Sequence, residues 1–188
     1  MKTPKFEDEG LVTTYKSPFP ATYKGFVFSG SAGWMLLNTQ SPRASPAERW
    51  AAISLPNALV SQSYGMVRWG APPQDGTFTS FDLVEFYIYG WATMPRGSGG
   101  GMLIVTIRTD KTPGFPYAVP ITNQSGNMVK AEEVFGDAVR GIAWVEIAVW
   151  QRWDWNSPKG GQGSLEGNPA NGWSVDSVSV RKRSCKPQ

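Results

Sequence analysis

Apolar and polar residues alternate with a period of two along much of this chain, the pattern of strands buried on one face. Tyr23–Ser29, Gly33–Leu37, Ser63–Trp69, Leu83–Trp91, Met102–Thr109, Tyr117–Ile121, Trp144–Trp153 and Trp173–Arg181 are rich in β-branched and aromatic residues. Gly, Pro, Asn or Ser separates most of these runs. Helical patterning is sparse. Ser45–Ile53 predicts a short helix, with Ser45 as cap, Pro46 at the first helical position and Glu48 at capping-box spacing. Ala131–Phe135 predicts one further turn.

Many strands, little helix and no repeat predict an all-β chain, a single jelly-roll-type sandwich with one or two short helices. The 188 residues suit one domain over 1–188, with 1–20 and 182–188 as tails. The Gly97–Gly101 run reads as a hairpin loop, and Trp155–Gly172 as a long polar, Gly-rich insertion between strands.

Splitting each strand into its two faces yields candidate surfaces. In Leu83–Trp91, Val84, Phe86, Ile88 and Gly90 form the expected core face, and Glu85, Tyr87, Tyr89 and Trp91 the other. In Trp144–Trp153, Val145, Ile147, Val149 and Gln151 oppose Trp144, Glu146, Ala148, Trp150 and Arg152. In Met102–Thr109, Leu103, Val105 and Ile107 oppose Ile104, Thr106 and Arg108. Laid side by side, the second faces would make a floor of Tyr and Trp rings carrying Glu85, Glu146, Arg108 and Arg152, suited to a flat, partly apolar ligand. The plain alternative is an ordinary solvated sheet face with cross-strand ion pairs. Nine Trp in 188 residues favour the ligand reading.

Composition narrows the chemistry. The chain has no histidine, which removes Ser–His triads, His-bound zinc and imidazole acid–base catalysis. Its one cysteine, Cys185, lies near the end and reads as a tail thiol, so neither a metal site nor a cofactor is expected. The net charge of +3 comes partly from Arg181, Lys182, Arg183 and Lys186, a solvated tail rather than a nucleic-acid surface. No run approaches a membrane span, and residues 1–10 lack the apolar core of a signal peptide. Secretion after loss of a signal is slightly favoured over a cytoplasmic location. Asp176 breaks an apolar alternation and predicts a hydrogen bond to a loop, or else a calcium ligand. Asn123-Gln124-Ser125 is a glycosylation sequon.

The segments Tyr23-Lys24-Gly25-Phe26, Phe78–Gly90 and Gly172–Val180 resemble motifs of a large group of small fungal jelly-roll proteins, mostly secreted. A cysteine of that pattern is missing around Trp91, so the resemblance implies no disulfide here. Fungal hetero-Diels–Alderases of tropolone–sesquiterpenoid biosynthesis have similar size and architecture, a likeness at the level of the fold. It implies a cofactor-free cycloaddition or dehydration–cycloaddition on an aromatic or terpenoid small molecule, with no nucleic-acid or membrane partner; a homodimer is compatible. Under that reading Tyr87, Tyr89, Trp91, Trp144 and Trp150 wall the pocket, and Arg108 and Arg152 stabilise developing negative charge. Glu85 or Glu146 is then the acid or base. The alternative is a non-catalytic carbohydrate-binding module, and a third reading is an interaction protein without a small-molecule site. A closed aromatic chamber favours the enzyme, and an open groove favours sugar.

Overall fold

The computed structural model describes residues 15–30, 34–46, 48–51, 57–61, 66–72, 78–90, 102–120, 126–152, 168–169 and 173–183. Along the chain run β1 (Lys16–Pro18), β2 (Thr22–Tyr23), β3 (Phe26–Gly30), β4 (Trp34–Asn38), β5 (Asn57–Ser61), β6 (Met66–Gly70), β7 (Ser80–Gly90), β8 (Met102–Thr109) and β9 (Thr112–Pro120). They are followed by β10 (Asn127–Val129), α1 (Ala131–Phe135), β11 (Trp144–Arg152), β12 (Asn168–Pro169) and β13 (Trp173–Arg183). The strands form two antiparallel sheets. Sheet I has the order β1-β4-β5-β13-β7-β10; sheet II has the order β2-β3-β6-β11-β8-β9, with β12 added to β11. The protein is thus an all-β sandwich.

The inner faces meet in one core. Leu36, Leu59, Phe86, Ile88, Trp173 and Val175 of sheet I pack on Val67, Trp69, Val105, Ile107, Val145 and Ile147 of sheet II. Each such side chain contributes about 1.5–3 kcal/mol by leaving water. Aromatic edges close both ends: Trp34 meets Trp173 at 4.9 Å, and Phe26 lies 4.9 Å from Phe78 and 5.1 Å from Phe81. The expected core faces of β8 and β11 are therefore core wherever their side chains are described, at Val105, Ile107, Val145, Ile147 and Val149.

Four expectations need correction. Tyr23–Ser29 is a hairpin rather than one strand: Lys24 and Gly25 take φ of 51° and 79°, the left-handed pair of a tight two-residue turn. The alternation of β7 slips, so that Phe81 and Leu83, then Phe86 and Ile88, face the core, and Val84 is only partly buried. The facing strand slips with it, from Trp173 and Val175 to Val178 and Val180, around a bulge where Ser177 has φ of 48°. The Ser45–Ile53 helix shrinks to a 3₁₀ turn at Glu48–Trp50, although its capping box forms: Ser45 N–H donates to Glu48 Oε2 at 2.8 Å and Glu48 N–H to Ser45 Oγ at 3.3 Å. Finally, both expected tails contain strand, β1 at one end and the last residues of β13 at the other.

Candidate functional site

The expected aromatic floor divides between opposite sides of the sandwich. β7 belongs to sheet I, whereas β8 and β11 pair with each other in sheet II. Alternation assigns residues to a face of their own sheet and carries no information on which sheet that is. Glu85, Tyr87 and Tyr89 therefore lie far in topology from Arg108, Trp144 and Glu146, and the two groups do not form one surface. Trp91 falls outside the described residues, as do Asn123 and Cys185. Trp150 and Arg152 are placed by register alone, opposite Ile104 and Met102 on β8.

On sheet I, the Tyr87 face is a second core. Tyr87 and Tyr89 are buried with Leu37, Ala51, Ala58 and Val60, and Tyr15 and Met35 pack alongside. The Glu48–Trp50 turn and Ala51 are fastened at this face: Ser174 Oγ donates to the Ala51 carbonyl at 2.6 Å, and the Tyr15 hydroxyl donates to Glu48 at 3.1 Å. The Lys16 ammonium sits 2.6 Å from Glu48 Oε1. Burial by itself would raise the pKa of Glu48, but Lys16 and Ser45 together hold it below its ordinary value. Burial raises the phenols of both Tyr87 and Tyr89, and the Tyr87 oxygen accepts the Gly126 N–H at 2.7 Å. Asp176 is fully buried opposite Tyr87 in register. The described residues contain no group of three or more His, Cys, Asp or Glu side chains placed to hold a metal.

Sheet II presents a different outer face. β3 supplies Val27 and Ser29, β6 supplies Arg68 and Gly70, β11 supplies Trp144 and Glu146, and β8 supplies Thr106 and Arg108. Gly70 pairs with Val27 on one side and Trp144 on the other. A Cβ there would stand 3.0 Å from both Trp144 Cβ and the Ala143 carbonyl oxygen, so glycine lets the neighbours close in and leaves a depression in the sheet. Around that depression Val27, Ser29, Arg68, Gly70, Ala71, Pro72, Thr79, Ala143 and Trp144 line an open groove of about 480 Å³. The Arg68 guanidinium lies 3.8 Å from the centre of the Trp144 ring. Farther along the face, Glu146 is largely buried and bonds Arg108 at 3.4 Å; the Thr106 hydroxyl is buried without a hydrogen-bond partner.

Trp144 is held by the segment preceding it. Phe81 and Ile142 exchange two backbone hydrogen bonds of 2.9 Å between the sheets. Gly141 N–H donates to Asp82 Oδ1 at 2.6 Å, Ala143 N–H donates to Asp110 Oδ1 at 3.0 Å, and the Ala143 carbonyl accepts Ala71 N–H at 2.9 Å. Asp82 in turn is clamped by Arg183 and Arg181 at 2.7 and 3.0 Å. The groove wall is thereby tied to both sheets.

No protein-family model matches the chain, and no curated protein matches it. Among solved structures it is similar to TmCBM61, determined in complex with β-1,4-galactotriose, at 10% identity and a TM-score of 0.39 over 85% of this chain and 90% of that one. It is also similar to the family 11 carbohydrate-binding module of the cellulosomal cellulase Lic26A-Cel5E of Clostridium thermocellum, at 8% identity and a TM-score of 0.34 over 100% of this chain and 97% of that one. Both are β-sandwich carbohydrate-binding modules, and at this distance neither decides what the present chain binds.

Sequence reasoning missed Arg68 and Gly70. Both follow from the alternation of β6, where Val67 and Trp69 face the core and Met66, Arg68 and Gly70 must face out. Gly70 carried a further signal, an interruption at the end of an otherwise β-favouring run.

Proposed function

We propose that the protein is a non-catalytic carbohydrate-binding domain that takes a saccharide in the open groove on the outer face of sheet II. The observation that carries this reading is the groove itself, in which an indole, a stacked guanidinium and two hydroxyls line a depression made by a glycine on paired strands. A saccharide combines apolar C–H surface with closely spaced hydroxyls. Its C–H surface suits Trp144, Val27, Ala71 and Pro72, while its hydroxyls suit Arg68, Ser29 and Thr79. The volume falls within the roughly 300–1,000 Å³ of small-molecule sites. Because the walls stand on β3, β6 and β11, little ordering is needed on binding.

The cycloaddition reading has less support. It asks for a closed chamber large enough for two reacting groups; among the described residues the space lined by Tyr23, Phe26, Leu59, Trp69 and Val178 is about 10 Å³, and the larger one of about 240 Å³ lined by Phe19, Phe28, Trp34, Leu59 and Val67 is open to solvent. The smaller space holds about one water molecule. Tyr87 and Tyr89, expected as pocket walls, are packed with Leu37, Ala51, Ala58 and Val60 in the second core.

Affinity electrophoresis through gels cast with a panel of soluble polysaccharides tests the proposal. At least one polymer is expected to retard the protein, Trp144→Ala to abolish the retardation, and Met128→Ala, on exposed sheet I surface, to leave it unchanged. Retardation that survives Trp144→Ala rules out this groove as the site.

A further inference from the structure

Arg68 is half-buried, yet among the described residues its guanidinium has no ion-pair or hydrogen-bond partner, and its contact there is with the Trp144 ring. Among the described residues, the nearby acids are engaged elsewhere. Glu146 stands opposite Arg68 in register, but its carboxylate bonds Arg108 on the other neighbouring strand. Asp110, beyond Ala143, receives the Ala143 N–H. Among the described side chains the face therefore carries two guanidinium groups and one buried carboxylate, and the surplus positive charge sits on the groove wall.

The Arg68 guanidinium, 3.8 Å from the centre of the Trp144 ring, carries its N–H donors in its own plane. Two of them match the two oxygens of a carboxylate as a parallel pair. A partly desolvated cation without a counter-ion has already lost part of its hydration, so an anionic ligand group meets a smaller further cost there than at a fully exposed arginine. Among the described residues the remaining wall polar groups are the Ser29 and Thr79 hydroxyls, which serve the ring hydroxyls and add no charge.

From this we infer that the groove selects a saccharide bearing a carboxylate, a uronate unit, whose carboxylate pairs with Arg68 beside Trp144. This inference rests on the carbohydrate-binding reading and deepens it.

Isothermal titration of the full chain with an oligogalacturonate, with its methyl ester and with a neutral galacto-oligosaccharide of equal length tests it. The free acid is expected to bind about 10- to 100-fold more tightly than its ester, the scale of a charge-assisted bidentate pair. Raising the salt should narrow the gap. Arg68→Ala should bind acid and ester equally, and Arg68→Lys, which keeps the charge and loses the fork, should retain only part of the preference. Equal affinity of the wild-type protein for acid and ester overturns the uronate inference and leaves the saccharide reading standing. Absence of binding to all three overturns the uronate inference, and it counts against the broader reading once the polysaccharide panel is also negative. An acid preference that survives unchanged in Arg68→Ala overturns the assignment to Arg68.

Discussion

Removing the Asp82 carboxylate should loosen the whole wall that presents Trp144. Asp82 is only 1% exposed and accepts three hydrogen bonds, from Gly141 N–H at 2.6 Å, Arg181 at 3.0 Å and an Arg183 Nη at 3.1 Å, while Arg183 Nε lies in ion-pair contact at 2.7 Å. In Asp82→Ala the Gly141 N–H loses a charged acceptor, which costs about 1.5–3 kcal/mol. The two arginine side chains are about half exposed (48% and 51%), so solvent screening reduces each ion pair to about 0.2–1 kcal/mol. Together these give about 2–5 kcal/mol, or a melting temperature lower by about 4–20 °C for a chain of this size. Asp82→Asn keeps an oxygen for Gly141 and should lose about 1–2 kcal/mol. Burial alone would raise the pKa of Asp82, but Arg183, Gly141 N–H and Arg181 hold it below its ordinary value. A depressed carboxylate contributes stability in full above its unfolded-state pKa of about 3.9 and loses it as pH falls through the folded value. The gap between wild type and Asp82→Ala should therefore be constant from pH 7 to about 5 and close in acid. Urea melts at a series of pH values measure this. The reasoning fails if Asp82→Ala costs less than about 1 kcal/mol, if Asp82→Asn costs more than Asp82→Ala, or if the gap widens in acid.

Other outcomes follow from the same structure. Tyr87→Phe leaves the Gly126 N–H without its 2.7 Å acceptor and should lower stability by about 1–3 kcal/mol, read as a shift of urea midpoint at constant slope. Glu48→Gln weakens the link among Lys16, Tyr15 and Ser45 that fastens the Glu48–Trp50 turn. Because the Glu48 pKa is held down, this variant should be less stable than wild type at pH 7 and approach it as pH falls below about 4. Gly70→Ala brings a Cβ against Trp144 and Ala143; thermal melts should show a loss of about 1–3 kcal/mol, and titration should show weakened saccharide binding because the groove floor is filled.

The sequence pattern was informative where strands are long and regular. β8 covers the expected Met102–Thr109, and the core faces of β8 and β11 follow simple alternation because each strand pairs without interruption for most of its length. β7 misled at two levels. Its phase slips at the bulge shared with β13, a feature of the pair that neither strand reveals alone. Its sheet is set by pairing with β13, nearly a hundred residues downstream, and local patterning cannot choose between sheets. β5 escaped notice because Leu59 enters the main core while Ala58 and Val60 enter the second one, leaving no polar face to alternate. The capping box at Ser45 was real, but one capped turn does not make a helix once Ala51 is bonded to Ser174 across the second core. For the site, Trp144 was legible as an outward aromatic on β11. Its stacking partner Arg68 was not, since the β6–β11 pairing joins residues far apart in sequence.

The most direct test of the central claim is chemical-shift mapping of the ¹⁵N-labelled protein with a saccharide it binds. The account predicts that the Trp144 indole N–H and the backbone amides of Arg68, Gly70, Ala71 and Ser29 shift together along one saturation curve, while Tyr87, Tyr89 and Met128 stay still. Saturable shifts centred on the Tyr87 face of sheet I, with the Trp144 and Arg68 signals unmoved, would contradict it.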